Sequence, residues 1–174
     1  SGHAQRALEA DRLSSEFGNT QEPLGLDKHS ELSQRLTTAL GLKIPPVAVT
    51  FMAHVSTDVP GPTKPAPAGC SFWQVGAATT IATSAEDHKF CAIGVHTHNL
   101  QDASPSHASE LGAALTAMKG LDYVRPAEVE ALPVMGESHK HVVYGPLSEA
   151  DDTPNVVLLF AHATQSLILT EAVA

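Results

Sequence analysis

The residues best suited to chemistry lie in the middle of the chain. They are Cys70-Ser71-Phe72-Trp73, then Asp87-His88-Lys89-Phe90-Cys91-Ala92-Ile93-Gly94, then His96-Thr97-His98. Both cysteines and three of the ten histidines fall there. Thiolate and imidazole are the side chains that best hold transition metals and haem iron. The first expectation is therefore an iron cofactor, as haem or as a mononuclear centre. Cys91, His96, His98 and His88 are the expected metal ligands. Cys70 and its neighbour Trp73 are expected around the cofactor, although Phe72 and Trp73 also read as plain core anchors.

Spacing narrows the chemistry. A zinc ribbon needs closely spaced cysteine pairs, which are absent. There is no Cys-x-x-Cys-His run for covalent haem attachment. Any site must be assembled from separate segments. His96 and His98 share a face if they lie on a strand. On a helix they diverge by about 200°. His139 and His141 repeat the spacing and otherwise read as solvated loop residues. His88 and Cys91, three apart, share one side of a helical turn.

Two rival readings use the same residues. Cys91 beside His88 or His96 has the parts of a metal-free Cys-dependent hydrolase or transferase, though no protease signature surrounds it. A non-enzymatic ligand-binding or assembly domain would leave both cysteines inert or disulfide-bonded. No glycine-rich phosphate loop is present. The pairs Glu86-Asp87 and Asp151-Asp152 read as solvated acids, and Tyr144 as a core tyrosine at a strand end.

The elements that must position these residues follow from pattern. Residues 1 to 23 read as a flexible leader with a tag remnant at Ser1-Gly2-His3, and 24 to 174 as a single domain. Leu32, Leu36 and Leu40 predict a helix over 24 to 42, with Asp27 or Ser30 as cap and Gly41 near its end. Pro45-Pro46 breaks it, and Val47 to Met52 is a strand. Residues 58 to 69 form a proline-rich loop leading to Cys70. A short helix is expected within 71 to 82, with 79 to 83 as an alternative strand. Ser106 caps a helix running to about Lys119, with Leu111, Ala114, Leu115 and Met118 on its inner stripe. A second short helix spans Ala127 to Leu132. His141 to Leu147 is a strand, and Val156 to Ala161 is expected to be the central strand because it is apolar throughout. A helix closes the chain over 163 to 173. The fold class is α/β (or α+β), a compact domain with a mixed sheet flanked by helices.

Composition sets outer limits. The 174 residues are 43% hydrophobic and 17% charged, which is globular rather than disordered. The net charge of −9 argues against a nucleic-acid partner. Protonation of most histidines near pH 6 would bring it close to zero. No apolar run has the length of a membrane span. Without an export signal the expected compartment is cytoplasmic, with two reduced thiols, and an exported form with its signal removed is the alternative.

Five segments in order carry a family resemblance: Ile44-Pro45-Pro46-Val47-Ala48-Val49, Cys70-Ser71-Phe72-Trp73, Asp87 to Gly94, Val143-Tyr144-Gly145-Pro146-Leu147 and Pro154-Asn155-Val156-Val157. Together, over roughly residues 25 to 172, they resemble domain-of-unknown-function family 169, found mainly in bacteria and archaea. The resemblance implies cysteines at the positions of Cys70 and Cys91. Longer members carry further cysteines, a pattern that hints at an iron–sulfur cluster. Two thiols are too few for a four-cysteine cluster. The resemblance then implies either a cluster shared across a homodimer or histidines replacing thiols, for which His96 and His98 are placed. The expected function is redox chemistry, as an oxidoreductase, or small-molecule binding at iron.

Overall fold

The computed structural model describes residues 26–63 and 71–172. The expected leader and Cys70 lie outside them. The structure combines helices with a four-stranded antiparallel sheet in the order β2-β3-β1-β4. The strands are β1 (Val47–Met52), β2 (Ile81–Thr83), β3 (His141–Pro146) and β4 (Val156–Leu158). The α+β form of the expectation holds, and the sheet is antiparallel rather than mixed.

The chain divides into two units, residues 1–48 with 146–174 and residues 49–145. In the first unit, helix α1 (Leu26–Leu40) begins before both Asp27 and Ser30, which are therefore interior to the helix and not its cap. Gly41 ends it in the left-handed region at φ +62°, where a side chain would be strained. Buried Gln165, on the terminal helix Ala163–Ala172, donates to the carbonyls of Leu40 (2.7 Å) and Gly41 (2.9 Å). Its Oε1 accepts from His162 N, so one amide serves the end of one helix and the start of another. His29 is 1% exposed and bonds through Nδ1 to Ala150 O at 2.8 Å.

Strand β4 corrects an expectation. It covers only Val156–Leu158, sits at the sheet edge, and exposes Val156 and Val157. The inner places belong to β3 and β1, and in β1 Val47, Ala48 and Val49 are buried in succession. A short apolar run marks burial on two faces only when strands flank it on both sides, and β4 has one neighbour.

In the second unit, β2 and β3 pair antiparallel, with Ile81 opposite Tyr144 and Thr83 opposite Val142. Ile81, Thr83, Val142 and Tyr144 are buried. Period-2 alternation turns these four toward one face. Gly145 is required at its position, because a Cβ there would lie 2.5 Å from Thr80 Oγ1. Helix α2 (Phe72–Gly76) buries Phe72 completely. Helix α3 (Ala92–Thr97) packs on α4 (His107–Gly120). On α4 the expected stripe of Leu111, Ala114, Leu115 and Met118 is the half-buried side, while no residue of that helix is fully buried. Pro126 opens α5 (Pro126–Glu130).

Candidate functional site

The site is built on a turn between β2 and α3. Ser84 donates from its backbone N and its hydroxyl to Asp87 Oδ2 (2.9 and 3.0 Å), and Asp87 N donates back to Ser84 O. This reciprocal bonding gives one of the adjacent acids a structural task. The turn aims His88 inward, and Cys91 N then donates to His88 O at 2.7 Å. Cys91 is the residue from which α3 starts. A three-residue spacing thus becomes a side-by-side pair.

His88 is 1% exposed. Its ring meets Phe72 edge-on at 4.9 Å between centroids and lies against Tyr144 at 6.5 Å. Thr83 Oγ1 donates its single proton to Val142 O at 2.9 Å. It can therefore only accept at the 3.0 Å contact with His88 Nε2, so the imidazole proton sits on Nε2. The other nitrogen, Nδ1, carries a bare lone pair. It is buried without a hydrogen-bond partner. Burial, with His98 adding to it and Asp87 opposing, lowers the pKa of His88 to about 4. The ring is neutral at physiological pH.

Gly94, one turn into α3, faces this lone pair. A Cβ at Gly94 would lie 3.2 Å from Cys91 Sγ and 3.6 Å from His88 Nδ1. Without a side chain at Gly94, the thiol and the imidazole nitrogen both border the position a Cβ would take. Cys91 is a free thiol and half-buried. Tyr144 is close enough to Cys91 that the sulfur adds to the burial that pushes the phenol pKa up.

His98 ends α3 and stands edge-on to His88, 5.5 Å between centroids. Burial lowers its pKa as well, and its Nδ1 is buried and unpartnered. Phe51 lies 5.3 Å from His98 and 5.3 Å from His139. Nε2 of His139 is likewise buried and unpartnered.

The structure brings His88, Cys91 and His98 together and sends His96 elsewhere. The His96–His98 segment is helical up to Thr97, so the two rings diverge. His96 instead faces His107 at 6.4 Å between centroids. Trp73 is half-buried on α2, whereas its neighbour Phe72 touches His88. Thr83, Gly94 and His139 were not readable as site residues from type and spacing. Thr83 and His88 meet only because β2 hands the chain to the Ser84–Asp87 turn. His139 reaches the group through a bridge to Leu100.

Among the described residues no three His, Cys, Asp or Glu side chains stand close enough to hold a metal ion together. The described part of the site therefore supplies a sulfur–nitrogen pair rather than a closed coordination sphere. A separate cleft of about 240 Å³ is lined by Glu86, Lys89, Val95, Asp102, His107 and Glu110 among others, but by neither Cys91 nor His88.

A family model described as uncharacterised ArCR, DUF169, matches residues 35–174. No curated protein and no solved structure matches the chain.

Proposed function

We propose that this chain, which belongs to the DUF169 family, binds one iron ion through Cys91 Sγ and His88 Nδ1, with the remaining positions open to a small molecule. The observation that carries this reading is the bare, buried Nδ1 lone pair of His88, 3.6 Å from a place that Cys91 Sγ reaches at 3.2 Å. An orphaned buried nitrogen costs about 1–3 kcal/mol unless something fills it. A partnerless group of this kind in a folded protein calls for an ion, a water or a catalytic task.

The donors fit the group. Neutral imidazole and thiolate suit iron, zinc and copper, and of the first two only iron brings redox chemistry. Cys91 Sγ and His88 Nδ1 both lie within 3.6 Å of the position a Gly94 Cβ would take, which favours a mononuclear centre over haem. Thr83 holds the His88 ring in the tautomer that keeps Nδ1 free, as outer-shell partners do around metal sites. Tyr144, Phe72 and Phe51 keep the surroundings apolar on the imidazole side. Bound there, iron would supply one-electron chemistry and a place for a small ligand.

Metal analysis with an absorption spectrum on anaerobically purified protein tests this. One iron per chain with a thiolate charge-transfer band is expected, reduced several-fold in Cys91→Ser and in His88→Ala and retained in His96→Ala. Zinc at full occupancy would leave the site and remove the redox role. A colourless, metal-free wild type would remove both.

A second reading has its own support. The clamp of Thr83 on His88 Nε2 also orients a general base, and a half-buried thiol lies across from it. A metal-free protein whose thiol-dependent turnover is abolished by Cys91→Ser and by alkylation would favour that reading.

A further inference from the structure

We infer that Cys91 is a peroxide-reactive thiol whose sulfenic acid is held in the space left by Gly94, with its O–H donated to His88 Nδ1. The inference goes beyond metal binding and concerns the metal-free protein.

A thiol alone would carry no such claim. Here a second observation points at it. His88 is 1% exposed, and its Nδ1 is an acceptor with no donor. Sγ itself makes no hydrogen bond to that nitrogen, and the two atoms lie 3.2 and 3.6 Å from the position a Cβ on Gly94 would take. An oxygen attached to Sγ extends toward that position and brings an O–H toward Nδ1 at hydrogen-bonding range. The Thr83 hydroxyl already fixes the imidazole proton on Nε2, so Nδ1 is free to accept. Access is available because Cys91 is only half-buried and the preceding Phe90 is 85% exposed.

The step balances. Cys91 sulfur attacks one oxygen of hydrogen peroxide, an S–O bond forms and the O–O bond breaks. Sulfur gives up two electrons, and the departing oxygen leaves as water with the thiol proton: RSH + H₂O₂ → RSOH + H₂O. The product keeps one proton on oxygen, and that proton meets the lone pair of His88. Held by that bond, the sulfenic acid should outlive one without it. A sulfur already committed to a metal is withheld from peroxide, so oxidation and metal loading exclude each other at this atom.

The test uses the full chain, stripped of metal by chelation and carrying Cys70→Ser so that only one thiol reports. Protein is treated with equimolar hydrogen peroxide, peroxide is removed with catalase, and dimedone is added at increasing delays. Intact mass and peptide mapping then read the adduct. The expected result is one adduct on Cys91 that remains trappable several-fold longer than in His88→Leu or in Gly94→Ala, whose Cβ occupies the space. His96→Ala should match the parent. Absence of an adduct at Cys91, direct passage to sulfinic acid, or equal lifetimes in the parent and in whichever of the two variants folds would overturn the inference. Because no metal is present, a failure here is distinct from a failure of iron binding.

Discussion

His88 is the residue on which the account turns, and its burial has a consequence for stability. At neutral pH the ring is uncharged in both the folded and the unfolded chain. Below the ordinary value of 6.5 the unfolded chain takes up a proton, while the folded chain does not until about pH 4. Folding stability of the metal-free protein should therefore fall with decreasing pH across that window, by about 1.4 kcal/mol per pH unit from this group. His98, also depressed by burial, adds in the same direction. Urea midpoints at pH 7.5, 6 and 5 measure the slope. In His88→Phe it should flatten, and an unchanged slope would contradict the assignment. Thr83 supports the same ring from behind. Thr83→Val should weaken metal affinity about 10–100-fold, read by competition with a chromogenic chelator, while leaving both ligands in place. The His88/Cys91 pair was legible from spacing, since three residues apart on a turn means the same side. The tautomer was not, because it depends on a strand residue and a carbonyl brought in from Val142.

Elements decide which histidines join the group. Two residues apart, His96 and His98 share a face only on a strand. The chain is helical from Ala92 to Thr97, so one ring goes to His88 and the other to His107. Nothing in Val95-His96-Thr97-His98 alone announces a helix, which is why both histidines were expected as ligands. Periodic elements were far easier to read: α4 turns the expected four positions inward, and the helix that starts the described chain stops at Gly41. Strand β4 misled because apolar content reports tolerance of burial, while strand order decides whether burial occurs. Two element-scale costs follow. Gly145→Ala drives a Cβ into Thr80 and should destabilise by about 1–3 kcal/mol. Gln165→Ala leaves the carbonyls of Leu40 and Gly41 without their donor and should cost about 1–3 kcal/mol. Thermal or chemical denaturation measures both, and a change under 0.5 kcal/mol in either would contradict the packing described.

For the whole molecule, the described site residues all fall in the unit spanning residues 49–145, while His29 and Gln165 belong to the other. Metal occupancy should track the first set alone. In folded protein, His29→Ala and His54→Ala should keep wild-type metal content, although His29→Ala removes a buried bond to Ala150. Among the described residues no helix is long and apolar enough to cross a membrane. Fold class was legible because strand and helix patterns depend on local periodicity. The site was legible only in its residue types and in the spacing of His88 and Cys91, since the rest of its geometry comes from contacts between β2, the Ser84–Asp87 turn, α3 and β3.

The most direct measurement is the metal content of wild type, Cys91→Ser, His88→Ala and Gly94→Ala, purified side by side under anaerobic conditions. One iron in the wild type and a loss in all three variants is the predicted result, with Gly94→Ala losing it by filling the space rather than by removing a donor. Equal iron in the wild type and Gly94→Ala, or none in any of the four, would contradict the claim that Cys91 sulfur and His88 nitrogen share one ion.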